Sequence, residues 1–253
     1  MSAPPVLELD EVEFGYVSGP AWARRRVPAL HGVSLAAGRG ETVGLVGESG
    51  SGKSTIGKLC LGLLRPQGGV VRFDGRPLDR RAQRGAFSVV LQHPQWSLNP
   101  RLTVGTSVAE PLAVAGRGTR AERRARVEAL LDDVGLDPAF ADRLPSELSG
   151  GQRQRASIAR ALITEPRFVL LDEAVSALDV SVQAQILNLL RRLQEEHGFA
   201  ALFISHDLAA TRYAADRIVV MRHGRIVDEG SADAFYAPSD HEYTRALQRA
   251  SEI

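Results

Sequence analysis

Apolar and polar residues alternate along Val6–Phe14 (Val-Leu-Glu-Leu-Asp-Glu-Val-Glu-Phe), the period of a strand with one buried face. Pro20–Pro28 interrupts the pattern and reads as a polar, Arg-rich loop. Thr42–Val46 is a short apolar strand that runs into glycines and then into a helix predicted from Lys53 to about Leu64. Val70–Phe73, followed by Asp74-Gly75, predicts one arm of a hairpin, and Phe87–Leu91 another short strand. From Val104 to Ile163 the period turns helical. Within Glu122–Val134 it sets Val127, Leu130, Leu131 and Val134 on one face, with charges opposite. Phe168–Leu171 is a continuous apolar run of the kind buried in a parallel sheet, Val182–Gln194 an amphipathic helix, and Ala200–Ile204 a second buried strand. Arg217–Met221 with Arg225–Val227 predicts a late hairpin. Strands alternating with helices predict an α/β core. The β-rich start and helical middle predict two accessory regions.

A length of 253 residues suits one large domain or one with two lobes. The net charge of +1 gives no general pull toward nucleic acid or anionic lipid, and the clusters Arg24–Arg26 and Arg120–Arg126 read as solvated surface. The single cysteine, Cys60, lies in the apolar run Leu59–Leu64; it reads as a buried thiol and leaves no disulfide possible within the chain. No apolar run reaches the ~18–20 residues that span a bilayer. The start, Met1-Ser2-Ala3-Pro4-Pro5, lacks the basic and apolar regions of a secretion signal. The expectation is a cytosolic chain whose membrane role comes through partners.

The densest chemistry lies at Gly47-Glu48-Ser49-Gly50-Ser51-Gly52-Lys53-Ser54, which matches G-x-x-x-x-G-K-[ST] between a predicted strand and a predicted helix. Glycines there let backbone N–H groups wrap phosphates. Lys53 can reach their β and γ oxygens, and the Ser54 hydroxyl can ligate Mg²⁺. A chance Gly-rich turn is disfavoured by the flanking strand and helix. Phe168–Leu171 ends in Asp172-Glu173, so a buried strand delivers two carboxylates to the edge where ligands bind. Asp172 suits a hydrated Mg²⁺ and Glu173 a water to be polarised; alone, the pair could equally be a solvated acidic turn. His206 ends the strand Ala201–Ser205, where an imidazole can hydrogen-bond a γ-phosphate and the attacking water, although a lone His at a strand end is more often structural. Gln92 closes Phe87–Leu91 with an amide able to ligate Mg²⁺ or its water. Tyr16 can stack on adenine or serve as a core aromatic, with Phe14 as its competitor.

Leu148-Ser149-Gly150-Gly151-Gln152-Arg153-Gln154-Arg155 opens a run, Gln152 to Ile163, of good helix formers without Pro or Gly. Ser149 offers a hydroxyl, Gly150 and Gly151 let backbone N–H groups approach an anion, and the helix start points at a phosphate. The same residues also suit a Ser-Gly-Gly loop capping an ordinary helix.

Taken in order, these elements resemble the nucleotide-binding subunit of an ABC transporter over essentially the whole chain. The matched features are an aromatic A-loop at Tyr16, Walker A at Gly47–Ser54, the Q-loop at Gln92 and the signature at Leu148–Arg155. Walker B at Phe168–Asp172, catalytic Glu173, the D-loop Ser176-Ala177-Leu178-Asp179 and the H-loop His206 complete the set. Gln92-His93-Pro94-Gln95-Trp96-Ser97-Leu98-Asn99-Pro100-Arg101, Val175–Leu190 and His241-Glu242-Tyr243-Thr244-Arg245-Ala246-Leu247 are similar to oligopeptide, dipeptide and nickel importers. Ala174 departs from the Pro that many relatives carry. The chain ends soon after Leu247 and has too few cysteines for the iron–sulfur cluster of some longer peptide-importer subunits, which makes it similar also to compact nickel or metal–chelate subunits.

The resemblance implies a P-loop NTPase (RecA-like) fold, α/β, with a parallel-sheet core, an antiparallel β subdomain and an inserted α-helical subdomain. It implies one domain over 1–253: β subdomain and core from 1–92 and 160–230, helical subdomain 93–159 with the signature, and a C-terminal tail 231–253. ATP and Mg²⁺ are the implied cofactors. ATP contacts fall on Tyr16, Gly47, Glu48, Ser49, Gly50, Ser51, Gly52, Lys53, Ser54 and Thr55, and from the signature and D-loop on Ser149, Gly150, Gly151, Gln152 and Asp179. Metal contacts fall on Ser54, Gln92 and Asp172, and catalysis on Glu173, His206, Lys53 and Gln92. The implied partners are a second ABC ATPase subunit, identical or paralogous, two membrane-spanning permease subunits and, indirectly, an extracytoplasmic solute-binding protein, with no nucleic acid. The implied place is the cytoplasmic face of the inner membrane. Import of an oligo- or dipeptide is the leading reading, with nickel or metal–chelate import behind it. A soluble, non-transport ABC ATPase is disfavoured because tandem ATPase domains and large insertions are missing.

Overall fold

The structure, a computed structural model, describes residues 4–19, 24–92, 97–176 and 178–250. The chain divides into two compact units, Met1–Ala82 with Ala200–Ile253, and Gln83–Phe199.

The first unit holds two sheets. One is antiparallel, in the order β2 (Arg25–Ala37), β1 (Leu7–Ser18), β4 (Gly68–Phe73), β5 (Arg76–Pro77). Its β4–β5 turn is the hairpin expected at Asp74-Gly75. The expected loop Pro20–Pro28 is corrected in part: from Arg25 onward it is strand, with Val27 opposite Tyr16 and Arg26 opposite Val17. The ladder of backbone hydrogen bonds does not depend on side-chain polarity, so an Arg-rich edge pairs as well as an apolar one. Residues 20–23 of that loop lie outside the described residues.

The other sheet has β3 (Thr42–Val46) running parallel to both β8 (Ala200–Ile204) and β9 (Arg217–Arg222), with β10 (Arg225–Ser231) antiparallel to β9. Every residue of β3 and β8 is buried, as their unbroken apolar runs require. α1 follows β3 and spans Lys53–Cys60, ending short of the expected Leu64 because Gly62 takes a left-handed φ of 63°. α6 (Leu208–Ala214) and α7 (Glu242–Ala250) complete the unit. Cys60 is fully buried, and burial pushes its thiol pKa far above the ordinary value, so it stays protonated and inert.

In the second unit β6 (Phe87–Leu91) lies parallel to β7 (Phe168–Asp172), with Leu91 opposite Asp172. Between them in sequence come α2 (Val104–Val114), α3 (Arg120–Asp133) and α4 (Gly150–Leu162), and after them α5 (Val180–His197). The apolar face read from α3 is buried at Val127, Leu130 and Leu131, and Val134 just beyond it is buried too. The Arg cluster there is surface, as expected: Arg124 grips Asp142 through both carboxylate oxygens at 2.6 and 2.8 Å.

Candidate functional site

In the first unit, the Gly47–Ser54 loop joins the buried end of β3 to the start of α1. Gly47 is held at φ 149°, and a Cβ there would meet the Met221 carbonyl oxygen at 2.2 Å, so no other residue fits between the loop and β9. Gly224 N–H donates to the Ser51 carbonyl at 2.9 Å, fastening the loop to the β9–β10 turn. Lys53 is buried, and its Nζ donates to the carbonyls of Gly47 at 2.6 Å and Glu48 at 2.8 Å. The loop therefore wraps a cation held by backbone oxygens. Glu48, Ser49 and Gly50 are exposed at its rim, and so is Ser54 on the first turn of α1.

Helix caps give a second sign. α2 to α6 are capped by the side chains of Thr103, Thr119, Ser149, Asp179 and Asp207, each accepting a backbone N–H of the first turn. α1 starts instead from Gly52 at φ 112°, with no side-chain cap and no acidic residue in its first turn. Thr55 and Ile56 return their N–H groups to the Gly52 carbonyl. Its opening N–H groups and positive dipole end, with a lysine beside them, make an anion site without a built-in anion.

Tyr16, half-exposed on β1, packs edge-on against Phe14 with ring centroids 5.0 Å apart, and its hydroxyl lies 3.2 Å from Thr55 Oγ1. Of the two aromatics, Phe14 is the core residue; Tyr16 is half-exposed and reaches α1 through its hydroxyl. His206 is exposed, between the end of β8 and Asp207, the cap of α6.

In the second unit Asp172 ends β7 and Glu173 follows at φ 50°, a left-handed backbone that a residue with a Cβ adopts at some cost. Ser176 Oγ closes that turn by donating to the Glu173 carbonyl at 3.0 Å and lies 3.4 Å from its carboxylate. Gln92 stands just past β6, so its strand ends beside the strand that carries Asp172. The His93–Trp96 stretch of the Q-loop and Ala177 of the D-loop lie outside the described residues. Asp179 is the cap of α5: its Oδ1 accepts from Val182 N–H at 2.9 Å and from the Ser181 hydroxyl at 2.7 Å. Those bonds hold its pKa below the usual carboxylate value.

Ser149 and Gln152 form a capping box at the start of α4: Ser149 Oγ accepts from Gln152 N–H at 3.3 Å and Gln152 Oε1 from Ser149 N–H at 2.9 Å. The capping reading is what the contacts show, and the serine that caps the helix remains exposed. A Cβ on Gly150 would touch nothing within 4 Å among the described residues, so their packing does not demand a glycine there. Two contacts carried no signal in the sequence. Gln154, fully buried on α4, donates through Nε2 at 2.7 Å to the carbonyl of Ala174, the residue after Glu173. Tyr243 on α7 accepts a hydrogen bond from Glu48 N–H at 3.0 Å.

The family model described as "ABC transporter" matches residues 30–176, more than half of the chain. The chain belongs to the ABC transporter family. A protein of Brucella abortus (strain 2308) named as a peptide import ATP-binding protein is 50% identical over 235 residues, covering 90% of this chain and 70% of its own. A second, from Brucella ovis, is 49% identical over 227 residues, 87% of this chain and 72% of that one. Among solved structures, the Clostridium perfringens protein cbiO1, part of the ABC transporter complex cbiONQ, superposes with a TM-score of 0.83 at 27% identity, covering 99% of this chain and 100% of that one. The ATP-binding cassette MJ0796, solved as a dimer in a post-hydrolysis state with ADP and Pi, superposes with a TM-score of 0.76 at 33% identity over 89% and 98% of the two chains. This is the P-loop NTPase fold of an ABC ATPase, as the motif order implies.

Proposed function

We propose that this ABC ATPase powers import of an oligo- or dipeptide through a membrane permease, from the cytoplasmic face. The observation that carries its ATP chemistry is the phosphate cradle: Lys53 set in the Gly47–Ser54 loop at the head of a helix with no side-chain cap. In this reading Lys53 and the N–H groups of the loop bind the β and γ phosphates, and Tyr16 stacks on adenine. Ser54, Gln92 and Asp172 offer a hydroxyl, an amide and a carboxylate, hard oxygen donors suited to Mg²⁺, which when bound neutralises phosphate charge. Glu173 orients and polarises the attacking water, and His206 hydrogen-bonds the γ-phosphate. Catalysis then comes from positioning and charge stabilisation rather than from a covalent intermediate.

The open face of Gly150 and the exposed hydroxyl of Ser149 support a role outside their own chain, on the nucleotide of a second ATPase subunit, identical or paralogous. Asp179 stands beside that role. Among the described residues no helix is long and apolar enough to cross a membrane, so transport calls for membrane-spanning partners. A cleft of about 560 Å³ lined by Leu102, Thr106, Ala109 and Ala113 with Arg120 supports the helical region as the permease-facing surface. The names of the Brucella relatives favour peptide over nickel or metal chelate as the solute.

Glu173→Gln tests the reading in the assembled transporter. ATP should still bind while hydrolysis falls roughly 10²–10⁴-fold, the usual contribution of a positioned acid–base group. Near-normal turnover would remove Glu173 from this role.

A further inference from the structure

Tyr243 lies on α7, far along the chain from the phosphate loop, yet its hydroxyl accepts the N–H of Glu48 at 3.0 Å. The same peptide unit ends in the Gly47 carbonyl, which accepts from Lys53 Nζ at 2.6 Å. One peptide group is thus held at both ends, by the phosphate-reading cation on one side and a phenol on the other. The phenol is itself well fixed. Its ring is buried in a cluster with Val46, Leu208, Ile218, Val220 and Phe235, and the Arg222 guanidinium lies 4.7 Å from its centre. Burial raises the phenol's pKa, so the group stays a neutral hydroxyl. Gly47 has no Cβ to resist rotation of this peptide. A rotation would take the Gly47 carbonyl away from Lys53, and a Lys53 drawn toward a phosphate holds that carbonyl less firmly. The Tyr243 hydroxyl is then the anchor that keeps the unit in place.

We propose that Tyr243 is a positioning residue for phosphate binding, fixing the Gly47–Glu48 peptide from the C-terminal helix. The proposal rests on the ATP-site reading above and adds α7 to the elements that shape it. Tyr243→Phe removes only the hydroxyl. The full chain and this variant are titrated with the fluorescent analogue TNP-ATP, displaced in turn by ATP, ADP and AMP, alongside thermal melts. Loss of one hydrogen bond predicts about five-fold weaker ATP and ADP binding. AMP affinity should be unchanged and the melting midpoint lowered by no more than about 4 °C. Unchanged ATP and ADP affinity, or an equal loss for AMP, would overturn the proposal, since a merely structural tyrosine moves the melt and not the phosphate dependence. Lys53→Ala is measured in parallel. If Lys53→Ala loses ATP while Tyr243→Phe keeps it, only the positioning role falls; if Lys53→Ala also binds ATP normally, the ATP site itself is misassigned.

Discussion

Asp179 Oδ1 accepts from both the Val182 N–H and the Ser181 hydroxyl, which favours the ionised carboxylate at the positive end of α5. Its pKa is lowered on folding. The stabilisation is therefore present above the unfolded value of about 3.9 and is lost as pH falls through the lower folded value. Urea melts of the chain and of Asp179→Ala should separate at about pH 7 and draw together in acid, below about pH 4, whereas the gap between Asp179→Asn, a neutral cap, and Asp179→Ala should not change with pH. A gap between the chain and Asp179→Ala that survives acid would mean the carboxylate is not the stabilising form. Asp179 also shows how a motif is read. Ser176-Ala177-Leu178-Asp179 suggested a D-loop by resemblance, whereas the service of Asp179 as a helix cap needed the three-dimensional turn.

Among the elements, the strands whose every residue is buried were legible residue for residue: Thr42–Val46 and Ala200–Ile204 are almost wholly apolar. β2 was not legible at its start, because Arg25 and Arg26 pair through backbone while their side chains stay in solvent. Short helices such as α6 and α7 carry too few turns for periodicity to declare them. Contacts between elements distant in sequence are invisible to pattern altogether. The bond from Gln154 on α4 to the Ala174 carbonyl is one, at the residue next to Glu173 with its left-handed backbone. Gln154→Leu should leave ATP affinity intact while slowing hydrolysis by up to about 10²-fold, the penalty of a misplaced catalytic group. Comparing kcat with nucleotide Kd in the assembled complex checks this; an unchanged kcat would show that the turn holds without the amide.

For the molecule as a whole, the proposed site residues divide into those of the Gly47–Ser54 loop, read as a phosphate cradle, and those at the start of α4, read as facing a second subunit. Gly47 is required by its own chain, which leaves 2.2 Å where a Cβ would go, whereas a Cβ added at Gly150 would meet none of the described residues within 4 Å. That contrast underlies the central claim, that this ATPase is incomplete alone and completes its sites with the signature of a second subunit. The most direct measurement counts ATP trapped in mixed pairs in which both chains carry Glu173→Gln to stop hydrolysis. With Lys53→Ala on one chain and Ser149→Arg on the other, both lesions fall on one shared site, so one ATP should be trapped per pair; with both on the same chain, none. One ATP in the same-chain pair and none in the opposite-chain pair would contradict the account.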